Sequence, residues 1–245
     1  MLESFGFEWD GPIQFQSDRN DLYVESLRKL IADGRCFACG CSRAQLAAGQ
    51  IADPALEPVY PGTCRGNGPS SEGPHALRFA IDVAQPPVEF DDAFQGRFRQ
   101  DCRREAGDFV VRRRDGLAAY HLAVVVDDAS QGVTDVVRGA DLLSSTPRQI
   151  LLQRALGLPT PRYGHLPVLT EPDGRKLAKS RRAVPLAAAD APRLLWQVLE
   201  WLEQGPPAAL VHAPVREIWT WAIAHWKPER LSGIRERSLP PADTA

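Results

Sequence analysis

The sequence predicts an α/β protein with a helical carboxyl-terminal portion. Apolar residues recur at helical spacing over 18–31 and again over 191–203, and short apolar or β-branched runs lie between these segments. An alternation of this kind is typical of an α/β core. The composition agrees, because 44% of the 245 residues are hydrophobic and 24% are charged, as in ordinary globular domains. The length suits one large domain or two small ones.

Local signals place the elements along the chain. A helix over 145–156 begins at Thr146-Pro147, where proline suits the first turn, and ends before Gly157. Asp91-Asp92 predicts a turn, and the stretch 53–74 predicts a loop because it is rich in proline and glycine. The other predicted helices cover 18–31, 43–48, 191–203 and 215–224, and the predicted strands cover 77–81, 94–98, 109–113 and 122–126.

The net charge of −2 gives the chain no overall positive field that would attract nucleic acid. Contact with RNA must therefore come from local basic patches. Three arginine-rich stretches are candidates, although each is also compatible with ordinary solvated surface: Arg97, Arg99, Arg103 and Arg104; 112–114; and 175–182.

The sequence favours a cytoplasmic protein without membrane contact. No apolar run approaches the roughly 20 residues needed to cross a bilayer. Residues 1–5 lack the basic region and apolar stretch of a secretory signal. The five cysteines, an odd number with three crowded into 36–41, do not suggest a disulfide framework.

The cysteine cluster predicts a structural zinc site. Cys39 and Cys41 are one residue apart, and Cys64 follows in a segment with few hydrophobic residues. Structural zinc takes four ligands, mostly sulfur and nitrogen, in a tetrahedral arrangement. The fourth ligand is either the thiol of Cys36 or the phenolate of Tyr60, and spacing alone does not choose between them. The alternative is a set of buried structural cysteines without a metal.

Two lysines suggest a phosphate-binding loop. Lys176 and Lys179 lie three residues apart in segment 174–180, which a glycine opens. Such a loop can fold its ammonium groups over a polyphosphate and stabilise charge during transfer at the α-phosphate. By itself the signal is weak, because lysines at this spacing occur by chance on many helices.

The motifs around this loop are more specific. Segment 174–180, Gly-Arg-Lys-Leu-Ala-Lys-Ser, resembles the Lys-Met-Ser-Lys-Ser loop of class I aminoacyl-tRNA synthetases, with Leu177 and Ala178 replacing the middle pair. The upstream segments resemble those that line the amino-acid pocket of glutamyl-tRNA synthetases and occur in the same order: 113–128, 132–143, 146–149 and 163–167. The resemblance extends from Leu2 to about Lys227.

Within that class the resemblance is closest to the family of glutamyl-Q tRNA(Asp) synthetases. Only 65 residues follow Ser180, too few for an anticodon-binding domain, which this family lacks. The resemblance implies a Rossmann-like catalytic domain with a small zinc-binding insertion. It also implies activation of glutamate by ATP, with Mg²⁺, and transfer of the glutamate to the queuosine base of tRNA(Asp) by a monomeric enzyme.

The resemblance also assigns roles to residues. Tyr120 and Arg138 would contact the substrate glutamate, Lys176 and Lys179 would act in catalysis, and Lys179 would contact ATP. An arginine fork suits a carboxylate, and a tyrosine hydroxyl can orient a substrate. The family's zinc site has tyrosine as its fourth ligand, which on this chain gives Cys39, Cys41, Tyr60 and Cys64.

Structural alternatives remain for these polar residues. Arg138 could form an ion pair with Asp135 or Asp141, and Tyr120 could be a plain core aromatic. Asp127 and Asp128 are expected to hold strand-end geometry or bind backbone amides instead of serving as an acid and a base.

Class I synthetases carry a His-x-Gly-His type signature near the amino terminus, and none of the five histidines here fits it. We therefore expect that the chain as given lacks the first nucleotide-binding segment and is catalytically impaired. The alternatives are a fragment of a tRNA(Glu)-charging enzyme and a non-catalytic, zinc-supported tRNA-binding remnant. The expected divisions are a partial catalytic segment (1–35), the zinc-binding insertion (36–105), the remaining catalytic domain with the lysine loop (106–185) and a helical region (186–245).

Overall fold

The structure is a computed structural model that describes residues 1–47, 59–69, 73–171 and 187–238. Its α-helices within these ranges are α1 (Asn20–Ala32), α2 (Arg43–Ala47), α3 (Cys102–Glu105), α4 (Tyr120–Ser130), α5 (Thr146–Leu156), α6 (Ala191–Trp201) and α7 (Val215–His225). The strands are β1 (Cys36–Cys39), β2 (Ala76–Phe79), β3 (Val88–Asp92), β4 (Gly96–Gln100), β5 (Phe109–Arg112), β6 (Asp135–Gly139), β7 (Arg162–Leu166), β8 (Val168–Thr170) and β9 (Glu236–Ser238).

A four-stranded mixed sheet with the order β4-β3-β7-β6 positions the candidate site. β3 and β4 form an antiparallel hairpin, whereas β3, β7 and β6 run parallel to one another. Helix α5 lies in the connection between β6 and β7, since parallel neighbours need a crossover. The carboxyl ends of three parallel strands therefore lie at one edge of the sheet, where open α/β sheets bind ligands.

Helix α5 confirms the helix predicted over 145–156. Pro147 lies in its first turn, and Gly157 ends it in the left-handed region at φ 70°. Both follow local rules, because proline lacks the N–H that a first turn leaves unpaired and glycine adopts positive φ without strain. Most of α5 is buried, including the polar residues Thr146 and Gln149.

The strand predicted over 122–126 is wrong, because this segment lies inside helix α4. Its β-branched residues favour a strand when they are considered alone. In the folded chain, Leu122, Ala123, Val125 and Val126 are buried, and α1, α5 and β5 all contact the helix. A short apolar run fits a buried helix as well as a strand, and the surrounding elements decide.

The turn predicted at Asp91-Asp92 is also displaced. Both residues belong to β3, and the chain reverses over 93–95. Asp92 Oδ1 accepts hydrogen bonds from the backbone N–H groups of Phe94 (3.0 Å) and Gln95 (2.9 Å). The side chain that signals a turn therefore stabilises it from the end of the preceding strand.

A second, antiparallel sheet with the order β1-β2-β5 carries the cysteine segment. The main hydrophobic core gathers residues of both sheets with α1, α4 and α5. A separate core joins α6 and α7 to Phe5 near the amino terminus. None of the described helices is long and apolar enough to cross a membrane. The four divisions of the chain stay a prediction.

Candidate amino-acid pocket and metal site

Three polar residues meet where the parallel strands end. Arg138 is the penultimate residue of β6 and pairs in register with His165, the penultimate residue of β7. Asp92 is the last residue of β3. The strand ends therefore bring a guanidinium, an imidazole and a carboxylate together in the position expected for a ligand site of this type of sheet.

The Arg138 guanidinium is held by neutral groups. Its Nε donates to His165 Nε2 (3.1 Å), and its Nη2 donates to Thr146 Oγ1 (2.7 Å) and Gln149 Oε1 (2.8 Å). The guanidinium carbon lies 5.5 Å from the centre of the Tyr163 ring. Within the described ranges, the Nη1 atom of Arg138 makes no hydrogen bond, and no carboxylate lies at salt-bridge distance from the guanidinium. Nη1 can therefore donate to an anionic ligand, and a planar fork suits a carboxylate.

Behind Arg138, His165 and Asp92 form a buried pair. His165 Nδ1 lies 2.5 Å from Asp92 Oδ2, and neither side chain has any exposed surface. Burial of Asp92 disfavours its charged form, but hydrogen bonds from His165 and from backbone N–H groups prevail and lower the pKa of the Asp92 carboxyl below its usual value. The buried Asp92 carboxylate is thus linked to the Arg138 guanidinium through the His165 imidazole that lies between them.

Tyr120 is the first residue of α4, and Asp128 lies two turns further along the same helix. Burial raises the pKa of the Asp128 carboxyl, while the positive charge of Arg138 acts in the opposite direction. Burial also raises the pKa of Tyr163, although a hydrogen bond from Gln153 and the positive charge of Arg138 act in the opposite direction. Tyr120 is 47% exposed, so the alternative that it is a plain core aromatic is wrong. Asp128 therefore lies within electrostatic range of Arg138, and Tyr120 lies within electrostatic range of Tyr163, whose ring the Arg138 guanidinium faces.

The ion-pair alternative for Arg138 does not hold in the described structure. Asp135 pairs instead with Arg162, whose Nε and Nη2 donate to it over 2.6 and 2.8 Å. Asp141 forms no salt bridge with Arg138 in the parts of the chain that the structure describes.

Asp127 ties α1 to α4. Its carboxylate accepts hydrogen bonds from Arg19 Nε (2.7 Å), Gln16 Nε2 (2.9 Å) and the Tyr23 hydroxyl (2.9 Å). The expectation that Asp127 holds a strand end or binds backbone amides is wrong, because it lies on a helix and its carboxylate binds side chains.

The second site is the cysteine cluster. The Sγ atoms of Cys39, Cys41 and Cys64 all lie within 4.8 Å of one another, and the Cys41 and Cys64 sulfurs are 3.6 Å apart. Two sulfurs on one tetrahedral zinc ion are separated by about 3.8 Å, since each Zn–S bond measures about 2.3 Å. The three thiols therefore fit a single zinc ion.

Tyr60 adjoins these thiols, whereas Cys36 does not. The Tyr60 hydroxyl lies 3.6 Å from Cys39 Sγ and accepts the backbone N–H of Cys64 at 2.8 Å. Burial raises the pKa of Tyr60, and the Arg78 guanidinium lies 4.0 Å from its ring centre. Cys36 packs against the main core, and burial raises the pKa of its thiol to about 11. The donor set that fits a metal is three thiols and one phenol.

The lysine loop at 174–180, with Lys176 and Lys179, lies outside the described residues, as does the arginine stretch 175–182. In the other stretches several arginines already have partners: Arg97 and Arg99 pair with Glu89, Arg104 with Asp101, Arg113 with Asp115, and Arg114 donates to the Gly40 carbonyl. These arginines are consequently weaker candidates for contacts with RNA than unpaired ones would be.

Comparisons with known proteins identify the family. The family model for the catalytic domain of class I tRNA synthetases (E and Q) matches residues 1–192. In solved structures, the chain is similar to glutamate–tRNA ligases from Elizabethkingia meningosepticum (TM-score 0.70, 20% identity) and Elizabethkingia anophelis (TM-score 0.72, 19% identity). It aligns over 96% and 98% of its own length but spans only 55% and 56% of those chains. The fold and the match to the family model together show that this chain is a class I tRNA synthetase catalytic domain.

Curated relatives narrow this class. The chain is 52% identical to a glutamyl-Q tRNA(Asp) synthetase of Pseudomonas fluorescens, over 98% of this chain and 77% of that protein. It is 49% identical to one of Chromobacterium violaceum, over 94% of this chain and 76% of that protein. The chain therefore belongs to the family of glutamyl-Q tRNA(Asp) synthetases, as its motifs predict.

Proposed function

We propose that this chain activates glutamate with ATP and transfers it to the queuosine base of tRNA(Asp), in the cytoplasm and as a monomer. The observation that carries the proposal is the half-buried Arg138, whose Nη1 is left to donate at the carboxyl ends of three parallel strands. Membership of the family supports the choice of glutamate and of this tRNA, because those substrates appear in the relatives' names.

In the proposed first step, a carboxylate oxygen of glutamate attacks the α-phosphorus of ATP. The bond between the α-phosphorus and its bridging oxygen breaks, and pyrophosphate leaves with that electron pair. Arg138 binds one substrate carboxylate and Tyr120 orients the amino acid, while Lys176 and Lys179 neutralise the phosphates. Mg²⁺, when bound with ATP, would supply further positive charge for the same purpose. The protein contributes mainly position and charge stabilisation.

In the second step, a hydroxyl of the queuosine base attacks the acyl carbon of glutamyl-adenylate. The C–O bond to the phosphate breaks, AMP leaves, and the hydroxyl proton passes to solvent. These two reaction steps need no covalent bond to the enzyme, so no side chain serves as a nucleophile.

The proposal assigns Zn²⁺ to Cys39, Cys41, Tyr60 and Cys64. The bound ion would cross-link β1 to the loop at 59–69, and in a structural site of four protein ligands it activates no water. This chain's own contacts already bring the donors together: Tyr60 accepts the Cys64 N–H, and Arg65 Nη1 donates to Asp108 at 2.9 Å.

Calorimetry with glutamate tests the pocket without requiring turnover. Arg138→Gln removes the charge and the fork, and the loss of one member of such a charged hydrogen bond costs roughly 2–5 kcal/mol. We expect the Kd for glutamate to rise at least about thirtyfold. Aspartate, which is one methylene shorter, serves as the control ligand and should bind more weakly than glutamate. Equal glutamate affinity in the wild type and Arg138→Gln would refute the assignment of the pocket.

Transfer assays then test the acceptor. Glutamate is incubated with ATP and, in parallel, with queuosine-bearing tRNA(Asp), tRNA(Asp) lacking queuosine, and tRNA(Glu). The proposal predicts transfer to the first alone, at a reduced rate because none of the histidines fits the His-x-Gly-His type signature. Charging of tRNA(Glu) would favour a glutamyl-tRNA synthetase fragment, and RNA binding with no detectable glutamate-dependent pyrophosphate exchange would favour a non-catalytic role.

A further inference from the structure

The buried Asp92–His165 pair has a definite proton arrangement. A guanidinium N–H can only donate, so His165 Nε2, at 3.1 Å from Arg138 Nε, must accept. A neutral imidazole accepts at one nitrogen and carries its proton on the other. The proton therefore resides on Nδ1, which faces the Asp92 carboxylate at 2.5 Å.

Thr146 fits the same arrangement. Its hydroxyl oxygen accepts from Arg138 Nη2 at 2.7 Å and lies 3.2 Å from His165 Nε2. The side chain of Thr146 is fully buried, as are those of His165 and Asp92. Solvent therefore cannot replace a lost hydrogen bond, and a wrong proton position at His165 would set a donor against the Arg138 donor.

We infer that Asp92 and His165 are positioning residues for Arg138. Asp92 selects the imidazole form protonated on Nδ1, and the unprotonated Nε2 fixes the guanidinium plane so that Nη1 faces the ligand. The inference rests on the proposed function for the identity of that ligand, a carboxylate of glutamate. It assigns the recognition of this carboxylate to a chain of three residues, two of which never touch the ligand.

A second, purely structural role of Asp92 has to be separated from this one. Asp92 Oδ1 also accepts the backbone N–H groups of Phe94 and Gln95, which hold the β3–β4 hairpin, and of His165, which joins β3 to β7, all over 2.9–3.0 Å. Asp92→Asn can retain them through its amide oxygen. Its NH₂ group then faces His165 Nδ1, which must accept, and the imidazole proton moves to Nε2.

The first test is nitrogen NMR of the imidazole in the ligand-free protein, labelled with ¹⁵N-histidine. The wild type should show His165 protonated on Nδ1, and Asp92→Asn should show it protonated on Nε2. Asp135→Asn is the matched control, because it makes the same chemical change at the other end of the β6–β7 pair, where Asp135 opposes Arg162. An unchanged His165 tautomer in Asp92→Asn would overturn the inference.

The second test is a double-mutant cycle on glutamate binding. A hydrogen bond to a charged group contributes about 1.5–3 kcal/mol, so Asp92→Asn should raise the Kd for glutamate roughly tenfold or more. His165→Gln should bind within a few-fold of the wild type, because the amide oxygen of glutamine can accept from Arg138 Nε without a tautomer. In the His165→Gln background, Asp92→Asn should then change the Kd for glutamate only slightly.

The possible outcomes are distinct. An equal loss from Asp92→Asn in both backgrounds would mean that Asp92 acts through the hairpin, and the inference fails. The predicted tautomer change without glutamate binding by the wild type would contradict the proposed function, although the Asp92–His165–Arg138 arrangement would stand. His165→Leu, which cannot accept a hydrogen bond, should lose binding where His165→Gln retains it.

Discussion

At the scale of single residues, the alternation of side chains along β1 separates the two candidates for the fourth metal ligand. Residues three apart on a strand point to opposite faces. Cys39 faces Tyr60 and Cys64, and Cys36 therefore faces the main core against which it packs. The spacing of the cysteines in the sequence cannot show this, because Cys36 is as close to Cys39 along the chain as a ligand would need to be.

Zinc content tests this assignment. One zinc ion per chain is expected in the wild type and in Cys36→Ala, and almost none in Cys64→Ala, measured by mass spectrometry of the purified proteins. Tyr60→Phe should weaken binding in competition with a chelator, because it removes one of four ligands. Loss of zinc in Cys36→Ala together with full retention in Tyr60→Phe would assign the fourth position to Cys36 instead.

At the scale of elements, local signals predicted α5 and its ends, since a proline start and a glycine stop act within a few residues. They failed for α4, whose apolar run is compatible with two structures until α1, α5 and β5 surround it. The candidate site shows the same contrast between what local sequence signals predict and what long-range contacts decide. Tyr120 and Arg138 were assigned by family motifs, whereas the role of Asp92 depends on a contact with His165, 73 residues along the chain, that no local pattern contains.

The contact between α1 and α4 provides a test at this scale. Tyr23→Phe removes the hydroxyl that donates to Asp127 (2.9 Å), and the free energy of unfolding at pH 7 should fall by about 1–2 kcal/mol. Burial, reinforced by Asp127, raises the pKa of Tyr23 to about 12 from an ordinary 10. The neutral phenol is thus the form that the fold favours, and its contribution is complete below pH 10.

As the pH rises from about 10 to 12, the wild type should lose this contribution, because the unfolded state releases the Tyr23 proton first. Tyr23→Phe has no such proton, so the stability difference between the two proteins should shrink over this range. Urea unfolding at a series of pH values measures it. A difference that is constant from pH 8 to 12 would contradict the assigned pKa.

At the scale of the whole molecule, the amino-terminal segment is fastened to the carboxyl-terminal helices. Phe5 is buried among residues of α6 and α7, and Trp219 Nε1 donates to the Phe5 carbonyl at 2.7 Å. Phe7 meets the Trp219 ring edge-on, with centroids 5.5 Å apart. Parts of the chain more than 200 residues apart therefore belong to one hydrophobic core, and we expect them to unfold together.

Gly6 allows this close approach. It has φ 76°, and a Cβ built there would lie 2.8 Å from Val215 Cγ1 and 3.0 Å from Trp219 Cδ1. Gly6→Ala should therefore suffer both backbone strain and a clash with α7, and lower the free energy of unfolding by about 2–4 kcal/mol. Gly11→Ala is the matched control, because φ is 72° but no atom lies within 4 Å of the added Cβ, so strain alone should cost about 1–2 kcal/mol.

Five of the six tryptophans lie within 196–226, so urea unfolding followed by tryptophan fluorescence reports mainly on this core. Equal losses in the two variants would show that the amino-terminal segment does not pack against α7 in solution, whereas a larger loss in Gly6→Ala would locate the difference at that contact.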